Sequence, residues 1–468
     1  MQSIGKGFTG FVTVLLYLTG TLSTYSQTAA EYGTTNFAPM QPITVEDQRD
    51  GLAREIEFLK SQLAVKADKP DASKGWTPPK VGALVFMDYV TAMNNNWDGL
   101  DTARGVNVDT QNGFGFREAR LMTSGTGYGF LDYRFDLGLE KNTNFNASYK
   151  DVFLGTQNVP ILQYVRIGHQ YVEDAGSEIC IPAPHYTFME APAPAGQHFM
   201  SRRLGITSRH LFAEDRLRLF FGVYNATNIS DIHYQKDDNQ GIVLNTRMTF
   251  APVFCRDGHS LFLYGAYYNY VNSTGSRPLA FNRPGGWDVY NPNSLENFFS
   301  NEYQKTGFEI AWQEGRFCVQ TDLFLQHYAD VISSGANIGN QTNYGGFVMA
   351  RWFLTNNYRK YNLKSASWDG VDVSHPLRFE KQSGVNWPSG YGAWELATMY
   401  GFYNSLASLA NADDRMTNHQ IGVALNWYWN PQVKWAVNYI HDMTDARYVG
   451  KSFHPTGDYL GMSCRIAF

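Results

Sequence analysis

The 468-residue chain lacks the features that mark most helical membrane proteins and most enzymes. After the first two dozen residues, no apolar run approaches the roughly 20 residues that a spanning helix needs. The mean hydropathy of -0.35 is likewise too polar for a bundle of such helices. Only four cysteines occur, Cys180, Cys255, Cys318 and Cys464, and they are far apart with no CxxC pair. They support neither a zinc site nor a disulfide framework. Histidines such as His169, His185, His210, His233, His327, His375, His419 and His441 are scattered without HExxH spacing, and no GxSxG elbow or phosphate-binding loop is present. A formal charge of -5 and a pI near 6.1 give no whole-molecule attraction to nucleic acid. No catalytic group, metal or cofactor is therefore expected.

Aromatic residues are abundant, at 15% of the chain. A closed sheet in a membrane needs no long apolar runs, because only alternate residues face lipid. A soluble aromatic-rich all-β protein such as a propeller would share this composition.

Three regions precede the repetitive part. Lys6, the apolar stretch 11–18 and the small residues Thr24 and Ser26 read as a secretory signal over 1–26. Over 43–66, Val45, Leu52, Ile56, Leu59 and Leu63 recur at heptad positions, broken only by Arg49. This spacing predicts a short coiled-coil helix. A helix of this length is marginal alone in water, so it implies association. Residues 67–80 form a Pro-rich linker that a helix cannot continue through.

From 81 to 468 the pattern is strand, turn, strand. Sixteen candidate strands are legible: 81–90, 114–122, 129–140, 149–155, 162–169, 203–210, 216–225, 242–250, 260–271, 303–313, 316–328, 344–354, 392–404, 418–429, 433–442 and 459–468. Most have the length that a tilted strand needs to cross a bilayer. An even count suits a closed antiparallel barrel with no unpaired edge in lipid. Short connections (123–128, 156–161, 211–215, 251–259, 314–315, 430–432) fall at one end and mostly longer ones at the other, as periplasmic turns and extracellular loops do. Residues 355–391 break this rule: they are long where a turn is expected, through a missed strand pair or a folded segment at the periplasmic mouth. Alternation places Leu460, Met462, Cys464, Ile466 and Phe468 on one face of the closing strand, with Ser463 and Arg465 on the other. Clusters such as Tyr264, Tyr267, Tyr268 and Tyr270, and Trp427, Tyr428, Trp429 and Trp435, are candidates for interfacial girdles.

Several segments resemble the phosphate-selective porin O and P family: Phe116–Leu121 (FREARL), Tyr133–Leu139 (YRFDLGL), Val165–Gln170 (VRIGHQ), Arg202–Gly205 (RRLG), Phe221–Asn225 (FGVYN), Gly392–Ala397 (GAWELA) and Ile421–Pro431 (IGVALNWYWNP). They lie in order across roughly 80–468. The resemblance implies a sixteen-stranded homotrimeric barrel in the lipid of the bacterial outer membrane, narrowed by the third extracellular loop, here 170–202 with prolines at 182, 184, 192 and 194. It also implies anion binding by arginines at the constriction. By strand parity Arg166, Arg203, Arg209, Arg216, Arg218 and Arg247 point to the lumen, with Arg134 and Arg465 as further candidates. Arg117 and Arg120 differ in parity, so a regular second strand turns only one inward. Asp132, Asp136, Glu140, Glu309, Asp322 and Glu395 also face inward and are the obvious partners for these cations.

The expected function is passive diffusion of small hydrophilic, and by the resemblance anionic, solutes. A structural envelope protein tethered through 43–66 is the alternative, and an outer-membrane hydrolase a more distant one.

Overall fold

The computed structural model describes residues 75–468 except 97–98, 100–111, 140–147, 193–198, 227–240, 273–275, 280–294, 301, 334–335, 383–384, 406–414 and 449. The expected signal (1–26) and heptad helix (43–66) lie outside the described residues, as does most of the linker.

All sixteen expected strands are present. In chain order they are β1 (Lys80–Asn95), β2 (Gly113–Gly127), β3 (Leu131–Gly138), β4 (Ser148–Val159), β5 (Gln163–Tyr171), β6 (Arg202–Phe212), β7 (Leu217–Asn225), β8 (Ile242–Cys255), β9 (Ser260–Asn272), β10 (Glu302–Glu314), β11 (Phe317–Ser333), β12 (Ala336–Phe353), β13 (Ala393–Ser405), β14 (Arg415–Asn430), β15 (Val433–Tyr448) and β16 (Thr456–Ala467). Each pairs antiparallel with its sequence neighbours. β1 also pairs with β16, from Leu84 opposite Ala467 to Asn95 opposite Gly457, which closes the sheet. The terminal Phe468 extends that seam: its carbonyl accepts from the Ala83 amide at 2.8 Å. Closure leaves every ladder partnered, as a hydrocarbon environment demands.

The strands are patterned inside out relative to a soluble sandwich. On β10, Phe308, Ile310 and Trp312 are exposed, while Lys305, Glu309 and Gln313 are buried. On β14, Ile421, Val423 and Leu425 face out, and Asn418, Gln420 and Asn426 face in. The exposed face is apolar and the buried face polar, the arrangement of a wall between lipid and an aqueous interior. At the periplasmic end of the outer face, the Trp394 and Trp427 rings stack at 4.9 Å and continue through Trp429 to Trp435. Two residues expected in the girdles turn inward instead. Tyr267 and Tyr428 have lumenal parity, and their hydroxyls donate to Asp322 and Glu395.

One further expectation is corrected, and one left open between two alternatives is decided. The outer connection 329–343 shrinks to 334–335, because β11 and β12 continue well past the bilayer-length segments. Residues 355–391 are the folded segment rather than a missed pair of wall strands, for their described strands lie outside the barrel sheet. They form two separate hairpins, Arg359–Asn362 with Ser367–Val371, and Arg378–Gln382 with Val385–Ser389. The first of these enters the lumen.

Candidate functional site: a barrel narrowed from both ends

The loop between β5 and β6 leaves the sheet at Tyr171, returns at Arg202 and travels along much of the inner wall. Its path can be followed bond by bond. Gly176 and Ser177 donate backbone N–H to Asp322 Oδ2 (2.7 Å) on β11 and Glu309 Oε2 (2.6 Å) on β10. Lys434 Nζ on β15 donates to the Tyr186 carbonyl at 2.7 Å, and Arg465 Nη2 on β16 to that of Phe188 at 2.8 Å. The Met189 amide donates to Asn438 Oδ1 at 2.6 Å. Glu190 then comes within 4.0 Å of Arg117 on β2. Small wall residues admit this close approach: a Cβ on Gly422 would lie 2.9 Å from the Phe188 ring, and one on Gly461 would lie 2.7 Å from Met189 Sδ. Pro182 opens a short 3-10 turn, Ala183–His185, and the carbonyls of Ala183 and of Tyr186 just after the turn accept from Arg465 Nη1 of β16.

The hairpin 359–371 approaches the same loop from the periplasmic end. Tyr361 and Trp368 are buried, and the Trp368 indole N–H donates to Gln320 Oε1 at 2.5 Å. The Tyr361 hydroxyl lies 3.0 Å from Ser177 Oγ. Arg359 reaches Glu178 at 3.3 Å and donates to Thr187 Oγ1 at 2.7 Å. Hairpin and loop therefore meet inside the barrel.

Their packing divides the lumen. Along β8–β16 nearly every inward side chain is sealed, including Arg351 and Arg465 at 1% exposure and Glu395 at 0%. Along β2–β6 the inward face is less closely packed: the Arg134 side chain is 39% exposed and that of Arg117 17%, although Asp136, Tyr164 and Gln170 are buried there too.

The expected arginines distribute around this division. Arg117 and Arg120 both face inward, because β2 is not regular. The register with β1 jumps from Phe86 opposite Glu118 to Met87 opposite Phe116, leaving Arg117 as the extra residue of a bulge. Arg117 lies 3.1 Å from Asp88, Arg120 2.6 Å from Glu118, and Arg134 2.8 Å from Asp136. Arg203 donates to the carbonyls of Met200, Arg202 and Ala226 and so ties loop ends together. Arg218 pairs with Glu173 at 2.6 Å, and Arg247 with Glu309 at 2.6 Å and Glu173 at 3.4 Å, all behind the loop. Arg216 is a correction: it sits in the β6–β7 turn, where it donates to the Pro252 carbonyl at an exposed position. Parity carries no information in a turn.

Arg166 and Arg209 lie against aromatic rings of β4 and β5. Arg166 lies 3.8 Å from the Phe153 ring centroid, and Arg209 lies 4.4 Å from that of Tyr164. Among the described residues no carboxylate is within ion-pair distance of either. Sequence reasoning missed the acidic residues of the loop, Glu173, Asp174 and Glu178, and the cations Lys305, Arg351, Arg359 and Lys434 that hold it. Loop residues have no parity to read, and a lumenal lysine that stabilises a loop looks the same in sequence as one that lines a pore.

An outward apolar face, an inward polar one and a lumen narrowed by an inserted loop define an outer-membrane β-barrel channel. Solved structures agree on the fold. OmpT of Vibrio cholerae, in vitro folded, aligns at a TM-score of 0.50 and 10% identity, covering 86% of this chain and 99% of that one. Its loop L8 deletion mutant aligns at 0.50 and 9%, covering 84% and 99%. No curated protein matches the chain. The phosphate-selective porin O and P family matches residues 91–452, and the chain belongs to that family. It is a protein of the bacterial outer membrane.

Proposed function

We propose that the protein is a passive diffusion porin, working as a homotrimer, that admits small hydrophilic solutes and favours anions. We assign the solute path to a crevice between the loop and β2–β6; the observation that carries the preference is the Arg166 and Arg209 pair along it, neither with a carboxylate within ion-pair distance among the described residues, Asp132 reaching Arg166 only through the Tyr164 hydroxyl. In a narrow, poorly screened channel, wall charges act strongly on a permeating ion. Aromatic rings cover faces of these guanidinium groups, which leaves N–H edges as the donors, and such edges match the oxygens of carboxylate and phosphate. The remaining wall arginines serve structure, most against acids and Arg203 and Arg465 against loop carbonyls. The expected domain plan is an export signal over 1–26, a heptad helix over 43–66 that gathers three chains, a linker over 67–80 and the barrel over 81–468.

Planar-bilayer recording tests this reading. Reversal potentials in a salt gradient should show anion preference, and phosphate should reduce chloride conductance. A cation-selective trimer would end the anion assignment.

A further inference from the structure

We propose that the carboxylates of Glu309 and Asp322 are positioning residues that latch the constriction loop to the wall, and that proton uptake by this pair releases the loop tip. The proposal rests on the reading above, in which the crevice beside that loop is the solute path.

The two acids are direct cross-strand partners on β10 and β11. They grip consecutive backbone amides, Gly176 and Ser177, and the Ser177 hydroxyl also donates to Glu309 Oε2 at 2.5 Å. A Cβ on Gly176 would sit 2.8 Å from Asp322 Oδ2 and 3.1 Å from Glu309 Oε2, so both carboxylates converge on one glycine. Adjacent carboxylates resist carrying two charges together.

The surrounding charges identify which acid is in excess. Glu309 has Arg247 of β8; Glu173 of the loop is shared by Arg218 and Arg247; Asp174 faces Lys305 of β10 at 3.6 Å. From β9, Tyr267 donates to Asp322 Oδ1 at 2.8 Å, and from the inserted hairpin Tyr361 meets Ser177. Among the described residues Asp322 has no cation within ion-pair distance, and Lys305, paired with Asp174, acts on it only from farther off. It is therefore where an added proton belongs first. A neutral carboxyl is a much weaker acceptor than a carboxylate, whose charge-assisted bonds are roughly twice as strong. The flanks behave differently, because Glu178 lies against both Arg351 (3.8 Å) and Arg359 (3.3 Å). Acid frees the tip around 174–177 before the rest of the loop.

Single-channel conductance against pH, for wild type, Asp322→Asn and Glu309→Gln, tests the latch. Wild type should show one acid inflection in conductance and open-channel noise. The variants should lose that inflection and show the acid-state conductance at neutral pH. Variants that migrate as folded, heat-modifiable barrels yet keep the wild-type conductance and inflection overturn the proposal. Should either variant fail to fold, Gly176→Ala keeps both acids and pushes the loop off the wall; wild-type conductance in it also overturns the latch. Wild type that forms no pore at neutral pH refutes the channel reading instead. The latch is then judged by chymotrypsin at neutral pH, where cleavage within 172–201 in Asp322→Asn but not wild type supports it and equal protection overturns it.

Discussion

At the scale of single residues, the lumen shows how costly charge is to bury and how it is made tolerable. Glu178 is buried between Arg351 and Arg359, and the Thr187 amide donates to it at 2.8 Å. Burial alone would raise its pKa, but the two guanidinium groups and the Thr187 bonds outweigh it and hold the carboxyl below its ordinary range. An acid with a depressed folded-state pKa stabilises the fold above its ordinary pKa, and that stabilisation fades as pH falls towards the depressed value. Acidification should thus lower the temperature at which the barrel shifts on a gel, and Glu178→Gln should flatten that dependence. Removing one member of a buried ion pair typically costs about 3–5 kcal/mol, so Glu178→Gln should also melt well below wild type at neutral pH. Legibility at this scale was uneven. Parity placed Arg134, Arg166, Arg218, Arg247 and Arg465 correctly, because strand geometry fixes it. Nothing in FREARL marks the bulge that turns Arg117 inward, since a bulge depends on the partner strand.

At the scale of elements, the strands were readable because each must satisfy two solvents at once. A residue facing lipid and one facing water cannot exchange places without loss, and the alternation survives in β10, β14 and β16 with little ambiguity. The 359–371 hairpin carried no such signal. Its strands are four and five residues long, and its buried residues, Arg359, Tyr361 and Trp368, mix charge with aromatic rings because they meet wall and loop polar groups at once. Replacing 358–373 with a short Gly-Ser linker should leave a folded barrel, since no wall strand is touched. It would remove the groups that brace Ser177, Glu178 and Gln320. Single-channel conductance should rise, and an unchanged value would mean that the hairpin does not narrow the path.

At the scale of the whole molecule, overall charge says little about the pore. The chain is net negative, yet what a permeating ion meets is the local balance along the open crevice. Most lumenal arginines there or behind the loop are neutralised by an acid within 4 Å, and such pairs look nearly neutral to an ion farther off. Arg166 and Arg209 are not neutralised in this way. One unit charge about 7 Å from an ion contributes about 0.6 kcal/mol even at the dielectric of water, roughly a threefold change in local ion concentration. Salt near 0.1 M screens over about 10 Å, so an ion squeezed past these side chains still feels them. Arg166→Gln and Arg209→Gln should each lower the anion-to-cation permeability ratio by roughly threefold, and together by more than either alone, while the barrel folds normally. Arg247→Gln supplies the contrast. That residue is sealed behind the loop against Glu309 and Glu173, so its loss should lower stability and loosen the loop without the same direct effect on selectivity. If Arg247→Gln shifts the reversal potential as much as the crevice pair does, ions pass through the middle of the barrel and the crevice is not their route.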